Sequence, residues 1–415
     1  MTVACPDCGA IQTVPPLQGR RVAVCHRCDH VLDRAAEPTL TVSLAWSVAV
    51  LLLLIPANTL PVMSAAVRGR VHEAHLVSGI AAVWGEGRPV LAMLLGAFIL
   101  AFPFVWSGAR TLVLAVLETE WRPSWLGRLF RYEQAIHLWA IPEVLIVAGF
   151  VIYMRTTEQV GGQVELGGWC VMAAGLITVL GRQMFTPHTV WRKIQPDRDP
   201  PAGEESMGCS TCDLVLPISM EGRPCPRCGR RLRVRKENSL SRTGALVLAG
   251  YLLFFPAYYF PMSYTVQPNG LRQRTIVEGV RELFQTGFWY LGVIVIVASI
   301  LIPLGKLVGM TWLLVSAHRG DRTRLSLKTH VYRRIHSIGR WSYTDPLIVA
   351  LTIPLLSFAG IVQVHADLAA LPFVLVVAAT MLAARSFDPR LLWDAAEGRA
   401  GPARAVVGEP AGVAA

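Results

Sequence analysis

The stretch Ile55-Pro56-Ala57-Asn58-Thr59-Leu60-Pro61 returns 200 positions later as Phe255-Pro256-Ala257-Tyr258-Tyr259-Phe260-Pro261. At the same offset Gly79 meets Gly279, Gly87 meets Gly287 and Pro103 meets Pro303. After a two-residue slip, Trp139 and Glu143 meet Trp341 and Asp345, and Phe185-Thr186-Pro187 meets Phe387-Asp388-Pro389. Proline and glycine dictate backbone conformation more than other residues do. A fixed offset held through them implies one folding unit used twice. Each unit is a four-cysteine knot followed by four apolar segments.

The composition agrees with a membrane protein. Of 415 residues, 53% are hydrophobic and 16% charged, and the mean hydropathy is positive. The net charge of +11 does not indicate nucleic acid, because the bases lie between apolar runs, where anionic lipid and the positive-inside rule place them. The chain opens directly on Cys5-Pro6-Asp7-Cys8, without the short apolar stretch that precedes a signal cleavage site.

Eight of nine cysteines fall in CxxC pairs, Cys5/Cys8 with Cys25/Cys28 and Cys209/Cys212 with Cys225/Cys228. Two such hairpins place four sulfurs tetrahedrally around one ion, with zinc the expected occupant. Gly9 and Gly229 allow the left-handed turn after the second cysteine. Arg20, Arg21 and Arg27, or Arg223, Arg227 and Arg230, are the nearby bases that offset the thiolate charge. Four cysteine ligands leave no open position for chemistry, so each knot reads as a structural zinc ribbon. Cys170 stands alone in an apolar run, as a small buried side chain does.

The expected spans are 40–62, 89–117, 137–154, 167–185, 243–262, 287–316, 341–363 and 368–384, most of them near the ~20 residues needed to cross a bilayer. Residues 317–340 hold seven Lys or Arg and 182–242 hold twelve, whereas 156–166 and 364–367 hold none. That asymmetry puts both ribbons, the linker and the C-terminus in the cytoplasm. Three arginines in each loop after the first and fifth spans run against it. Four crossings per unit make the copies parallel.

The fold class is therefore an α-helical integral membrane protein with two parallel-repeat four-helix domains, each preceded by a small cytoplasmic zinc ribbon. The boundaries are 1–36 for ribbon 1, 37–195 for the first transmembrane domain and 196–236 for the linker and ribbon 2. The second transmembrane domain is 237–396, and 397–415 is a disordered tail.

Ionisable groups inside a span cost about 2.5–3.5 kcal/mol on insertion scales, which makes them informative. Lys306 lies in the apolar run Ile302-Pro303-Leu304-Gly305-Lys306, and its first-copy counterpart is Trp106. It is read as functional, with snorkelling to the inner surface the competing account. Glu143 and Asp345 sit four residues after Trp139 and Trp341, where helix capping serves as well as function. Thr178 and Thr380 lie in the last segment of each copy, where a hydroxyl bonds a neighbouring helix. Pro56, Pro61, Pro256 and Pro261 are expected to break the first helix of each copy and free backbone carbonyls, a pointer to a transport site. No Walker A, HExxH, nucleophile-elbow or Rossmann pattern occurs, so an enzyme is not expected.

Paired ribbons, a duplicated four-helix unit and Pro-Ala-x-x-x-Pro in its first helix together resemble the paraquat-inducible protein A family. The resemblance runs from Cys5 to Trp393. It implies a protein of the Gram-negative inner membrane that works with an MCE-type partner, which forms a hydrophobic tunnel across the periplasm. The implied role is phospholipid transfer between membranes. The eight ribbon cysteines match the family's positions, and Lys306 falls in its Pro-x-x-Lys stretch. Lys306 would pair with a lipid phosphate, and Glu143 or Asp345, with Thr380, would hold the amine in the absence of lipid. The alternatives are a scaffold that only anchors the tunnel protein, and a metal- or thiol-based redox-stress protein.

Overall fold

A computed structural model describes residues 2–15, 17, 21–34, 39–67, 70–137, 139–140, 146, 149, 163–197, 204–267, 270–338, 363–397 and 412–414. The chain begins with ribbon 1, built from Thr2–Ala4 (β1), Ile11–Thr13 (β2), Val22–Val24 (β3) and Val31–Arg34 (β4). The strands β1 and β2 form one antiparallel hairpin, β3 and β4 a second.

The first apolar unit follows. Leu40–Thr59 (α1) leads into the hairpin Met63–Val67 (β5) and Arg70–Ala74 (β6), then into the short helix Leu76–Gly85 (α2). Pro89–Glu118 (α3) is a 30-residue apolar helix with a π-helical stretch at Ala97–Ala101. Leu126–Ile136 (α4), Gln163–Val164 (β7), Leu166–Met184 (α5) and Pro187–Ile194 (α6) complete the unit. The strand β7 joins β5, giving a three-stranded sheet in the order β6-β5-β7.

Ribbon 2 contains Ser206–Gly208 (β8) and Val215–Pro217 (β9), and the same sequence of elements then returns. Ser239–Tyr259 (α7) leads into Ser263–Gln267 (β10), Gly270–Arg274 (β11) and Ile276–Gln285 (α8). Trp289–Arg319 (α9) spans 31 residues and carries its π-helical stretch at Ile296–Leu301. Leu325–Ile338 (α10), Gln363–Ala366 (β12), Ala370–Ser386 (α11) and Arg390–Glu397 (α12) follow, with the sheet order β11-β10-β12.

Individual hydrogen bonds recur with the elements. Leu60 N–H donates to Pro56 O and Phe260 N–H to Pro256 O. Gly167 N–H donates to Pro61 O and Ala369 N–H to Pro261 O. The prolines behave differently from expectation. Pro56 and Pro256 lie inside continuous helices, and the chain leaves the helix only just before Pro61 and Pro261. An interior proline costs about 3 kcal/mol or more through a lost bond and a ring clash, and membrane helices tolerate it where neighbouring groups satisfy the freed carbonyl. In α1, Asn58 Nδ2 also donates to Leu54 O at 2.7 Å.

Among the described residues α1, α3, α7 and α9 are long and apolar enough to cross a membrane, and α5 with α6 form a bent pair that passes the same test. The helix α11 is apolar but shorter. The expected third and seventh spans fall almost wholly outside the described residues. The arginine-bearing loops after the first and fifth spans are not loops: they fold into the hairpins and into α2 and α8. Thr275 and Glu278 form a capping box at the start of α8. Within the stretch expected to be a disordered tail, the three residues Gly412–Ala414 (β13) pair antiparallel with Val22–Val24. An open strand edge accepts such a partner readily.

Each ribbon packs under the other unit. Ribbon 1 residues Val3, Val14 and Leu32 share a core with Leu307, Met310 and Leu313 of α9, Tyr332 of α10, and Phe387. Ribbon 2 residues Met207, Leu214 and Leu232 share a core with Leu40, Val113, Phe130 and Trp191 of the first unit. The ribbons meet through Ala4, Ile11 and Val215. At the sheet end the units join through a common core, and Glu86 Oε1 stands 2.8 Å from His365 Nδ1.

The crossed docking leaves no room at Gly127, where a Cβ would stand 1.9 Å from Arg227 O. Gly127→Ala is expected to destabilise the protein by about 1–3 kcal/mol, as overpacking does, read as a lower melting temperature. An unchanged melting temperature contradicts this docking.

Candidate metal centres and a buried lysine

The four knuckles share one geometry. Gly9 N–H donates to Cys5 O, Asp29 to Cys25 O, Asp213 to Cys209 O and Gly229 to Cys225 O, at 2.8–3.0 Å. All four turn residues have positive φ, between 55° and 77°. Glycine adopts that conformation freely, and aspartate is among the few other residues that tolerate it. This bond pattern carries the two cysteines of each hairpin towards one point.

The sulfurs converge accordingly. Cys5 and Cys28 Sγ stand 3.5 Å apart, as do Cys8 and Cys25. In ribbon 2 the corresponding separations are 3.6 and 3.7 Å. Four sulfurs at ~2.3 Å from a tetrahedral ion lie roughly 3.8 Å from one another. Within each group all ligand atoms lie within 4.8 Å, and every cysteine is buried and free of disulfide. Both groups therefore fit a metal ion, with no ligand position left open.

In ribbon 1 two groups from outside the knuckles reach the sulfurs. Arg333 of α10 donates to Cys28 Sγ at 3.2 Å and to Cys28 O at 2.7 Å, and Gln12 Nε2 donates to Cys25 Sγ at 2.9 Å. Arg27 instead lies over the Trp393 ring, with 4.6 Å to its centroid. Arg227 is buried, donating to Cys212 O and pairing with Asp197 at 2.7 Å. Burial alone would raise the Asp7 carboxyl, but His30 and Arg333 outweigh it and hold it below the usual carboxylate range.

Lys306 sits in α9, 3% exposed, and its Nζ has no hydrogen-bond partner among the described residues. A snorkelling lysine holds its amine in water, and this one does not. Ser299 lies in the π-helical stretch of α9, seven residues before Lys306. Ser299 is fully buried, and its Oγ is also without a partner among the described residues. Tyr258 of α7 donates to Ser299 O. Thr380 of α11 is buried and donates to Val377 O at 2.9 Å. A Cβ on Gly250 of α7 would lie 2.7 Å from Leu307 and 3.9 Å from Thr380, so α7, α9 and α11 meet at Leu307, the residue after Lys306. Glu143 and Asp345 lie outside the described residues.

The first unit answers the same position differently. Trp106 is 3% exposed, and the Arg110 guanidinium stacks on it and on Phe185. Arg110 pairs with the fully buried Glu133, with contacts of 2.6 and 2.7 Å. The charge is closed off within the protein. Arg110, Glu133 and Ser299 were not singled out from sequence. Arg110 carried the clearest signal, a lone cation inside an apolar run that requires a partner.

The profile of the family described as Paraquat-inducible protein A matches residues 40–195 and again 240–397. The chain belongs to this family. Among its relatives is the intermembrane transport protein PqiA of Escherichia coli (strain K12), 27% identical over 406 residues, covering 94% of this chain and 95% of that protein. The lipophilic envelope-spanning tunnel protein A of the same strain is 28% identical over 402 residues, covering 95% and 91%. A probable intermembrane transport protein of Haemophilus influenzae (strain ATCC 51907 / DSM 11121 / KW20 / Rd) is 24% identical over 405 residues, covering 94% and 95%. No solved structure matches. The match to this family in two successive stretches coincides with the two successive sets of elements.

Elemental analysis of purified protein is expected to find one metal ion per cysteine group. Cys8→Ser should lower the content from two ions to one and reduce thermal stability, because metal binding at such sites is folding free energy. Undiminished metal in this variant contradicts the assignment of Cys8 as a ligand.

Proposed function

We propose that this chain is the inner-membrane component of a system that moves phospholipid between membranes, exchanging it with a periplasm-spanning MCE-type tunnel partner. The relatives carry the names intermembrane transport protein and envelope-spanning tunnel protein, which supports a transport role rather than an enzymatic one. The observation that carries the reading is the buried, unpartnered amine of Lys306. An ammonium among apolar helices is stable only when something anionic reaches it. A phospholipid phosphate supplies that charge, and the apolar helices accommodate its chains.

The ribbons, the linker and both termini lie in the cytoplasm in this reading, because the basic residues cluster at the ribbon end. The sheets then face the periplasm, towards the tunnel partner. The chain divides into ribbon 1 (1–36), two four-helix domains (37–195 and 237–396) and the intervening linker with ribbon 2. Each ribbon holds one zinc ion, whose closed thiolate set provides stability rather than chemistry.

Within the second domain Lys306 binds the phosphate, with the Ser299 and Thr380 hydroxyls beside it. Asp345 or Glu143 holds the amine between lipids. The first domain, with Trp106 in place of the lysine and its Arg110–Glu133 pair closed, braces the second. Transfer is driven by the proton gradient or the lipid gradient, in keeping with the absence of a nucleotide motif.

Two readouts test this together. Lys306→Met keeps the length and apolar stem of the side chain while removing its charge, so the variant is read first for insertion at the wild-type level and then for transfer. Loss of a charged hydrogen bond to phosphate, worth about 1.5–3 kcal/mol, should lower phospholipid transfer between labelled vesicles roughly tenfold to a hundredfold. Wild-type transfer by a stably inserted Lys306→Met sinks the mechanism.

A further inference from the structure

At the ribbon end a second cationic site lies apart from Lys306. A cavity of about 440 Å³ opens where ribbon 1, ribbon 2, the segment before α7, helix α10 and the α11–α12 corner converge. Its walls include Lys236, Arg333, Arg390 and His336, with the exposed hydroxyl residues Ser210 and Ser337 also lining it. Volumes of this size accommodate small ligands.

The lining holds three fixed cations, Lys236, Arg333 and Arg390, against two carboxylates, Asp7 and Asp388. Lys236 Nζ donates to the carbonyls of Arg385 and Phe387 at 2.8 Å each, leaving one of its three protons for another acceptor. Arg390 donates to the carbonyls of Pro6 and Gly208. These acceptors are neutral and orient the cations without discharging them. Two carboxylates share the cavity, and both are engaged. Asp7 is held by His30 and Arg333, and Asp388 accepts from the backbone N–H groups of Lys236 and Arg390.

Arg230 and Arg385 add to the positive field. Burial pushes the Lys236 amine down to about 8, and although Asp388 opposes this, Arg230, Arg390 and Arg385 push it further in the same direction. Cations crowded around one cavity disfavour one another's ionisation and favour an anion there.

We infer that this cavity binds a phosphate-bearing anion, either a soluble phosphate or a lipid headgroup, through Lys236 and Arg390, with Arg333, already paired with Asp7 and Cys28, forming its wall. The ligand bridges both ribbons and the second unit's helices, so its binding tightens the contact between ribbons and helices. Tetrahedral phosphate suits this site because guanidinium and ammonium groups reach it from several sides.

The test uses the full chain in a zwitterionic nanodisc, with calorimetric titration and melting temperature as readouts. Inorganic phosphate probes the soluble source, and a short-chain phosphatidylglycerol below its micellar concentration probes the headgroup. Sodium chloride at matched ionic strength controls for screening. Saturable binding of either probe beyond the chloride control is expected, and the probe that binds identifies the source. Lys236→Gln and Ser337→Asp should each weaken it by about tenfold or more. The exposed Ser337 site keeps the test valid should Lys236→Gln misfold. All titrations are run in the Lys306→Met background, which removes the cation of the proposed transport site, so the binding that is read belongs to this cavity and its outcome is separate from the transport reading. Binding no better than chloride for both probes, or undiminished binding in a folded Ser337→Asp variant, overturns the inference.

Discussion

A cation enclosed by apolar helices requires either a permanent partner or a visiting one, and among the described residues the two units differ in this respect. In the first, Arg110 meets Glu133 and two aromatic faces, so the charge is consumed inside the protein. In the second, the corresponding surface of α9 presents Lys306 with no acceptor among the described residues. Buried ion pairs are weak sources of stability, whereas an unpaired buried charge is a clear liability. In the proposed function, that liability on one side belongs to a site whose partner comes and goes. Around Lys306 the helices touch closely at Gly250, and the π-helical stretch of α9 lies just before it. Such π-bulges frequently mark functional positions.

The crossed ribbons explain how the units are held together at the end away from the sheets. Ribbon 1 precedes the first unit in sequence but rests on the second, and ribbon 2 does the reverse. Small domains of about 30 residues lack the apolar area to fold alone, which is the usual reason for a structural metal. Here the metal sites organise more than themselves. Arg333 ties the Cys28 thiolate to α10, and the bidentate Arg235–Asp394 pair, 2.5 and 2.7 Å, joins the segment after ribbon 2 to α12. Movement of one unit relative to the other at this end must strain or shear these contacts.

Much of this was legible in the chain. The CxxC pairs fixed the sulfur groups because knuckle geometry is local: six residues close the turn and aim the ligands. The offset of 200 located the long apolar helices and the counterpart positions Trp106 and Lys306 for the same reason. What was missed is non-local or depends on a small energetic margin. The hairpins after α1 and α7 are stabilised by distant third strands, β7 and β12, which no window around residues 62–75 reveals. Pro56 and Pro256 looked like breaks, yet the cost of an interior proline is outweighed when the rest of the helix is satisfied. Arg333 and Gln12 found their sulfurs through tertiary packing, while the arginines adjacent in sequence turned to Trp393 or Asp197 instead.

The central claim is that Lys306 meets a lipid phosphate inside the protein. An experimental density map of the chain in phospholipid nanodiscs tests it most directly. The account predicts headgroup density between α7, α9 and α11, with a phosphate oxygen at hydrogen-bond distance, about 2.7–3.2 Å, from Lys306 Nζ. A map with the amine open to bulk water and no lipid among these helices contradicts it.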